Sequence, residues 1–241
     1  MKIALIGYGK MGKAIEKIAR EHGHEIVGRY SSTDTPTAES LAVADVAIEF
    51  TRPELAPAHI SLCRTAGIPV VVGTTGWYAH FENIKQQFHS EGALFTATNF
   101  SIGVNITFYL NRVLAGIMNR YPEYAAGITE IHHTQKLDAP SGTAISLAEG
   151  IIGEHIAFEK WELSNDEKQS FGGKLPVKAV RTDDVPGTHT IIWNSPIDSI
   201  SITHTAHNRQ GFAQGAVMAA EWIVGKQGVY TMQDMLNFES N

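Results

Sequence analysis

The chain has 241 residues, 43% hydrophobic and 18% charged, with 22 Gly and 9 Pro, a composition that suits one large or two ordinary domains and excludes a disordered or collagen-like chain. Its net charge of -6 sets the average field against a nucleic-acid backbone or an anionic membrane and favours a small-molecule partner. No apolar run reaches the length of a membrane span, Met1-Lys2 leads into a strand-like segment instead of a signal peptide, and the single cysteine, Cys63, has no internal disulfide partner, so a soluble cytoplasmic protein is expected. From Met1 to about Gly103 short apolar runs alternate with segments of helical spacing. Strands are predicted at Lys2–Ile6, Glu25–Tyr30, Val46–Phe50, Pro69–Val72 and Ala93–Thr98, while Ile15, Ile18 and Ala19 mark one helical face and Leu55, Ala58, Ile60 and Leu62 another. Strands alternating with helices imply parallel βαβ units and a doubly wound α/β sheet. After Gly103 the rhythm changes to a helix from about Val104 to Asn119, a strand over Ala125–His133, a helix from Thr143 to about His155 and a polar stretch. Three strands joined without helices then follow at Lys174–Arg181, Thr188–Asn194 and Asp198–Thr205, the last alternating Ile200 and Ile202 with Ser199, Ser201 and Thr203. This second domain is of α+β type. Two helices close the chain, Gly211 to about Gly225 and Met232–Phe238, the second opened by Thr231 with Asp234 three residues on.

Gly7-Tyr8-Gly9-Lys10-Met11-Gly12 is a G-x-G-x-x-G that follows the first strand and opens the first helix. In that setting Gly7 permits the tight turn, Gly9 lets backbone approach a pyrophosphate and Gly12 allows close packing, while the helix N-terminus offers N–H groups to an anion. A dinucleotide site of the Rossmann type is the expectation, against the plainer reading of a tight βα turn. The acidic residue expected near the end of the second strand is missing: Val27-Gly28-Arg29-Tyr30-Ser31-Ser32 holds no carboxylate before Asp34. Arg29, Ser31 and Ser32 could accept a 2′-phosphate, so NADPH is permitted beside NADH, and a plain surface cation is the alternative for Arg29. Gly73-Thr74-Thr75-Gly76, Asn99-Phe100-Ser101 and Glu49-Phe50-Thr51-Arg52-Pro53 all follow strands at the sheet edge where open α/β sheets bind ligands.

The run Glu130-Ile131-His132-His133-Thr134-Gln135-Lys136-Leu137-Asp138-Ala139-Pro140-Ser141-Gly142-Thr143-Ala144 ends a strand, crosses a loop and starts a helix with Ala144, Leu147, Ala148, Ile151 and Ile152 on its apolar face. Ser141, Gly142 and Thr143 then present N–H groups and hydroxyls at a helix N-terminus, a setting suited to a carboxylate, with two histidines and a lysine upstream to supply charge or protons. A plain N-cap is the competing reading for Ser141. His204-Thr205-Ala206-His207 pairs two more histidines, but no Cys or Glu completes a ligand spacing, so no metal is expected. Neither a G-x-S-x-G elbow nor a P-loop is present, which leaves covalent nucleophile chemistry without a candidate.

These residues resemble the 4-hydroxy-tetrahydrodipicolinate reductases (dihydrodipicolinate reductases) of bacterial lysine biosynthesis, whose signature E-x-H-H-x-x-K-x-D-A-P-S-G-T-A is matched from Glu130 to Ala144. The likeness extends through Gly7–Gly12, Glu49–Pro53, Gly73–Gly76, Asn99–Asn105, Arg181 with Val185–His189, and Ile202–Phe212. It implies reduction of 4-hydroxy-tetrahydrodipicolinate to tetrahydrodipicolinate with NADH or NADPH, in the diaminopimelate route to lysine. It also implies a Rossmann domain over 1–103 completed by helices in 209–241, a substrate-binding domain over 104–208, and a homotetramer joined through that second domain. By the same resemblance His132 is the acid/base, Lys136 the proton donor or substrate-binding cation, and His133, Gly142 and Thr143 carboxylate ligands with Ser141 beside them. The cofactor contacts it implies are Gly7, Tyr8, Gly9, Lys10, Met11, Gly12, Gly73, Thr74, Thr75, Ala97, Thr98, Asn99 and Phe100, with Arg209 on the hinge side. Two departures touch the adenosine side: the glycine loop is one residue shorter than the family's usual form, and the segment between Tyr30 and Val46 is short. Two rivals stand beside this reading. Another two-domain dehydrogenase would not need the His-His-Lys and Ser-Gly-Thr pairing, and a non-catalytic nucleotide-binding regulator would bind without turnover.

Overall fold

The computed structural model describes residues 1–88, 91–166, 172–208 and 210–238. In chain order the elements are β1 (Lys2–Ile6), α1 (Lys10–Glu21), β2 (Glu25–Tyr30), α2 (Ala38–Leu41), β3 (Val46–Glu49), α3 (Ala56–Thr65), β4 (Val70–Val72), a 3-10 turn (Tyr78–His80), α4 (Phe81–Gln87) and β5 (Ala93–Thr96). Then come α5 (Ile102–Met118), β6 (Ala125–His132), α6 (Gly142–Glu154), β7 (Lys160–Leu163), β8 (Lys174–Arg181), β9 (Thr188–Asn194), β10 (Ser199–Thr205), α7 (Gln210–Ile223), β11 (Gly228–Tyr230) and α8 (Met232–Leu236). They divide into two compact units, Met1–Ser101 with Gln210–Asn241, and Ile102–Arg209.

The first unit is a six-stranded sheet in the order β11-β5-β4-β3-β1-β2 with every neighbour parallel. Ile3, Leu5, Val46, Ile48, Val70 and Val72 are all buried, the continuous apolar content of strands covered by helices on both faces. Strand order reverses between β1 and β3, so the loops after those strands open a crevice at the carboxyl edge. Helix α1 buries Gly12, Ile15 and Ala19 and stops at Gly23, whose φ of 80° lets Gly23 N–H donate to Arg20 O and His24 N–H to Ala19 O. The doubly wound sheet expected from the alternation is present, with one addition. Residues 228–230 add a sixth parallel strand beside β5, which the sequence reading missed because three residues carry no periodicity.

The second unit is a mixed sheet in the order β10-β9-β6-β8-β7, antiparallel from β10 to β6 and parallel from β6 to β7. Ala126, Ile128, Leu175, Val177, Ile191 and Trp193 face one side and are buried with Ala144, Leu147, Ala148 and Ile151 of α6. Removing an aromatic such as Trp193 from such a core typically costs about 3–5 kcal/mol. The expected polar stretch after α6 instead contains β7. Its residues Lys160, Trp161, Glu162 and Leu163 are half-buried or exposed at a sheet edge, so no clean alternation marks them. Parallel pairing of β6 with β8 also means that these strands are not simple hairpins: the chain passes through α6 and β7 between them.

Candidate active site

In the first unit the glycine loop turns as its residue types require. Gly7 has φ 101°, a side chain there would meet Phe50 O at 2.0 Å, and Gly12 closes on Gly7 O, where a Cβ would stand 2.5 Å away. Gly7 and Tyr8 N–H both donate to Tyr30 O, at 3.0 and 2.8 Å, pinning the loop to the end of β2. Gly9 differs: it is the N-cap of α1 without a side-chain cap, and a Cβ there would meet nothing within 4 Å. A cavity of about 510 Å³ opens here, lined by Gly7, Tyr8, Gly9, Ser31, Ser32 and also by Arg52. The helix start, the bare glycine and the volume fit the pyrophosphate and ribose of a dinucleotide.

Of the other predicted cofactor residues, Lys10 is exposed and Met11 half-buried at the start of α1. Gly73, Thr74 and Thr75 follow β4, and Ala97, Thr98, Asn99 and Phe100 follow β5, at the same carboxyl edge as the cavity but outside its lining. Gly73 is held to glycine by the Phe50 ring, 2.1 Å from a Cβ built there, and buried Thr74 accepts a hydrogen bond from Thr51 N–H at 2.7 Å. Arg209 lies outside the described residues. Arg29 is engaged by α1: its Nε and an NH2 nitrogen donate to the two oxygens of Glu16 at 2.9 and 2.5 Å, and its guanidinium lies 5.8 Å from the Tyr8 ring centre. Hydrogen bonds from Arg29 hold the Glu16 carboxyl far below the usual carboxylate range. Sequence reasoning placed Glu49 at this sheet edge but missed His59 and the pairing of the two. Glu49 is fully buried at the end of β3, accepts from the Thr51 hydroxyl and faces His59 Nδ1 at 3.3 Å, and His59 lines the cavity from α3.

In the second unit the inward face of the sheet changes from apolar to ionisable toward the carboxyl end of β6. Ala126 and Ile128 give way to Glu130 and His132, and register sets Glu130 opposite His189 on β9 and His132 opposite Arg181 on β8. The cap of α6 closes this end: Ser141 N–H donates to Glu130 Oε1 at 3.1 Å, and Ser141 Oγ accepts from Ala144 N–H at 3.2 Å while contacting His189 Nε2 at 3.1 Å. Arg181 donates to Glu130 Oε1 at 2.9 Å and to the carbonyls of Lys136 and Asp138 at 3.2 and 2.6 Å, fixing the loop between β6 and α6. Burial of Glu130 opposes its charge, but the nearby His132 and the N–H donors of Ser141 and Arg181 outweigh burial and bring its carboxyl down to about 2. The buried carboxylate therefore stays ionised.

His132 Nδ1 lies 3.0 Å from Glu130 Oε2, an ion-pair distance without hydrogen-bond alignment. Its Nε2 faces Gly187, where a Cβ would stand 2.9 Å away, and its ring meets His189 edge-on at 5.0 Å between centres. Burial, reinforced by the neighbouring His132, pushes His189 down to about 4, so His189 is neutral near pH 7. Lys136 Nζ donates to both carboxylate oxygens of Asp138 at 2.8 Å. His133 is tied through its N–H to Val185 O and lines a polar cavity of about 490 Å³ with Asp183, Asp184 and Asn208. Gly142 is exposed with nothing within 4 Å of a Cβ, and Thr143 follows it in the first turn of α6. Of the expected residues, His132 and Ser141 thus come together at this sheet end, whereas His133 lines a separate cavity and Lys136 Nζ pairs with Asp138; the plain N-cap reading holds for the Ser141 hydroxyl, which is buried and used within the fold. Glu130, Arg181, Gly187 and His189 complete the cluster without having been assigned roles. The usable signal for His189 was strand alternation, since it sits two residues before buried Ile191 on β9.

Comparison with known proteins bears on both units. The family profile described as "Dihydrodipicolinate reductase, N-terminus" matches residues 1–100, and that described as "Dihydrodipicolinate reductase, C-terminus" matches residues 103–236. A 4-hydroxy-tetrahydrodipicolinate reductase of Christiangramia forsetii is 44% identical over 238 residues, covering 98% of each chain. One from Syntrophus aciditrophicus is 31% identical over 263 residues, covering 97% of each. Among solved structures, a dipicolinate-bound dihydrodipicolinate reductase from a Paenisporosarcina species shares the fold at a TM-score of 0.77 with 24% identity, covering 97% of this chain and 98% of its own. An amine dehydrogenase from Mycobacterium smegmatis aligns at a TM-score of 0.61 with 9% identity, covering 95% of this chain and 94% of its own, a likeness of fold alone.

Proposed function

The chain belongs to the dihydrodipicolinate reductase family, and from that membership we propose how its own residues divide the work. It is an oxidoreductase that uses a nicotinamide cofactor to reduce 4-hydroxy-tetrahydrodipicolinate to tetrahydrodipicolinate on the diaminopimelate route to lysine. The observation that carries the assignment of residues is the buried Glu130 carboxylate, held ionised by Arg181 and the Ser141 N–H and set 3.0 Å from His132 Nδ1. A fixed negative charge beside Nδ1 orients the ring and leaves Nε2 as the proton-carrying atom. Lys136 is the mobile cation that holds a substrate carboxylate or delivers a proton to the substrate. Backbone N–H groups at Gly142 and Thr143, together with the Thr143 hydroxyl and His133, bind a second carboxylate at the positive end of α6. Ser141 acts through the turn it caps.

The bound nicotinamide supplies the hydride. Gly7, Tyr8, Gly9, Lys10, Met11 and Gly12 hold the pyrophosphate end, Ser31 and Ser32 lie beside the adenosine, and Gly73–Thr75 with Ala97–Phe100 flank the nicotinamide end. Both NADH and NADPH serve: the Arg29 guanidinium at the end of β2 is shared with Glu16 instead of committed to a 2′-phosphate, while Arg52 lines the same cavity as Ser31 and Ser32. The protein assembles as a homotetramer through the second unit and works in the cytoplasm. Support for assembly comes from the outer face of that sheet, where Thr190 meets Thr203 at 3.1 Å and Thr188 meets Thr205 at 3.3 Å on a surface left half-buried or exposed. Sedimentation as a monomer at working concentration would remove that part. The decisive test is an assay with freshly generated 4-hydroxy-tetrahydrodipicolinate and either NADH or NADPH. Substrate-dependent oxidation of both is expected, and nucleotide binding without oxidation would favour a regulator.

A further inference from the structure

A second group of metal-ligating side chains stands in the first unit, outside both candidate sites. The C-terminus of α1 is stopped at Gly23, with φ 80°, and its two closing hydrogen bonds, Gly23 N–H to Arg20 O and His24 N–H to Ala19 O, leave little freedom to the turn His22-Gly23-His24. Both histidines of this turn point at one residue of α7. His22 Nδ1 lies 3.0 Å and His24 Nε2 lies 2.7 Å from the same oxygen of Glu221. The three donor atoms fall within 4.8 Å of one another, while the side chains keep 36%, 13% and 36% of their surface, so water and ions reach them.

We propose that His22, His24 and Glu221 form a surface site for a divalent transition metal of the zinc class, which clamps the α1–β2 turn to α7. Two imidazole nitrogens and one carboxylate oxygen are the donor set that zinc uses when it keeps a position open for water. Bonds of about 2.0–2.1 Å to a tetrahedral ion separate the ligand atoms by about 3.3 Å, so the present distances of 2.7 and 3.0 Å need to widen by about 0.6 and 0.3 Å. The imidazole donors suit zinc, copper or nickel better than magnesium or calcium, which take oxygen ligands. The net charge of -6 favours cation capture. A clamp here would link residues 197 and 199 positions apart, joining the start of the chain to the segment that returns after the second unit. That separation is why no sequence spacing announced the site.

The buried cluster of Glu130, His132 and His189 also brings three possible ligands together, and the experiment must separate the two. That cluster is buried, and its carboxylate already accepts from Arg181 and Ser141. Zinc chloride titrated calorimetrically into the metal-stripped full chain is expected to bind at one ion per chain and to raise the melting temperature, with chelator reversing the rise. His24→Ala and Glu221→Gln are expected to weaken binding at least about tenfold and abolish the thermal shift, while leaving reductase activity unchanged. His132→Ala is expected to keep zinc binding intact. Absence of stoichiometric binding to the parent, or its loss in His132→Ala and retention in His24→Ala, would overturn the proposal. Either outcome is read without relying on catalysis, and Glu221→Gln, at a side chain 36% exposed, keeps the test open if His24→Ala, at a side chain 13% exposed, disturbs the fold.

Discussion

At the scale of single residues, the two candidate sites differ in how their charges are held. Glu130 accepts from Ser141 and Arg181 and stays ionised, whereas Lys136, among the described residues, is paired with Asp138, a side chain 60% exposed, and under the proposed function exchanges that partner for a substrate carboxylate. Replacing Lys136 by Ala is therefore expected to lower the turnover number by about 10²-fold, the effect of losing a positioned proton donor or carboxylate clamp in the reacting complex. Thr143→Val should act mainly on the Michaelis constant for substrate, by about tenfold, because it removes one hydroxyl and keeps the helix start. Steady-state kinetics on both variants, with nucleotide affinity followed by fluorescence, checks the separation; a large loss of nucleotide binding in either would move this segment out of the substrate site. The Glu16–Arg29 pair gives a third residue-level expectation. Glu16→Gln removes the charge that now occupies the guanidinium, so the Michaelis constant for NADPH should fall by about tenfold relative to that for NADH. An unchanged ratio would mean that Arg29 does not reach the 2′-position.

Elements meet at glycines in two different ways, and the difference is measurable. Gly215 on α7 lies against the backbone after β5, where a Cβ would stand 1.8 Å from Phe100 O. Carbonyl oxygen cannot step aside as a side chain can, so Gly215→Ala should separate α7 from the sheet at a cost of about 3 kcal/mol, seen as a lower denaturant midpoint. Gly9, at the start of α1, has open space where a Cβ would be. Gly9→Ala should disturb stability much less and instead raise the Michaelis constant for nucleotide by about tenfold, because the new methyl group occupies ligand space. The reverse pattern would show that the cavity beside Gly9 is not the nucleotide's. Cys63 on α3 illustrates a residue type that carries no chemistry here: burial, with the Glu49 charge nearby, pushes its thiol up to about 12.

For the whole molecule, buried ionisable groups set the response of stability to pH. His189 titrates at about 4 when folded against an ordinary 6.5, so between these values the unfolded chain binds the extra proton and folding loses ground as pH falls. At pH 5 this single group is expected to cost about 2 kcal/mol relative to pH 7, with burial of His155 and His204 acting in the same direction. Glu130, lowered from 4.5 to about 2, adds its own loss only below pH 4.5, as its carboxylate is protonated. Urea unfolding at pH 7 and pH 5 should show the decline, and His189→Gln should flatten it. Equal slopes in parent and variant would place the titrating group elsewhere.

Much of this was legible in one dimension. Period-2 and helical apolar spacing is a local property, so the alternating βα architecture, the strand after the glycine loop and the helix opened by Ser141 could be read directly, and the run from Glu130 to Ala144 carried its own chemistry in contiguous residues. Short edge strands such as β7 and β11 were not legible, because they are held by neighbours and not by their own pattern. Nor were the partners of the site. Which cation neutralises Glu130, that Arg29 is already spoken for by Glu16, that His59 faces Glu49, and that His22 and His24 converge on Glu221 are all consequences of strand register and helix packing. Residues far apart along the chain become neighbours only when the sheet order is set, and it is at that step that isolated charges acquire the partners that fix their protonation and their use.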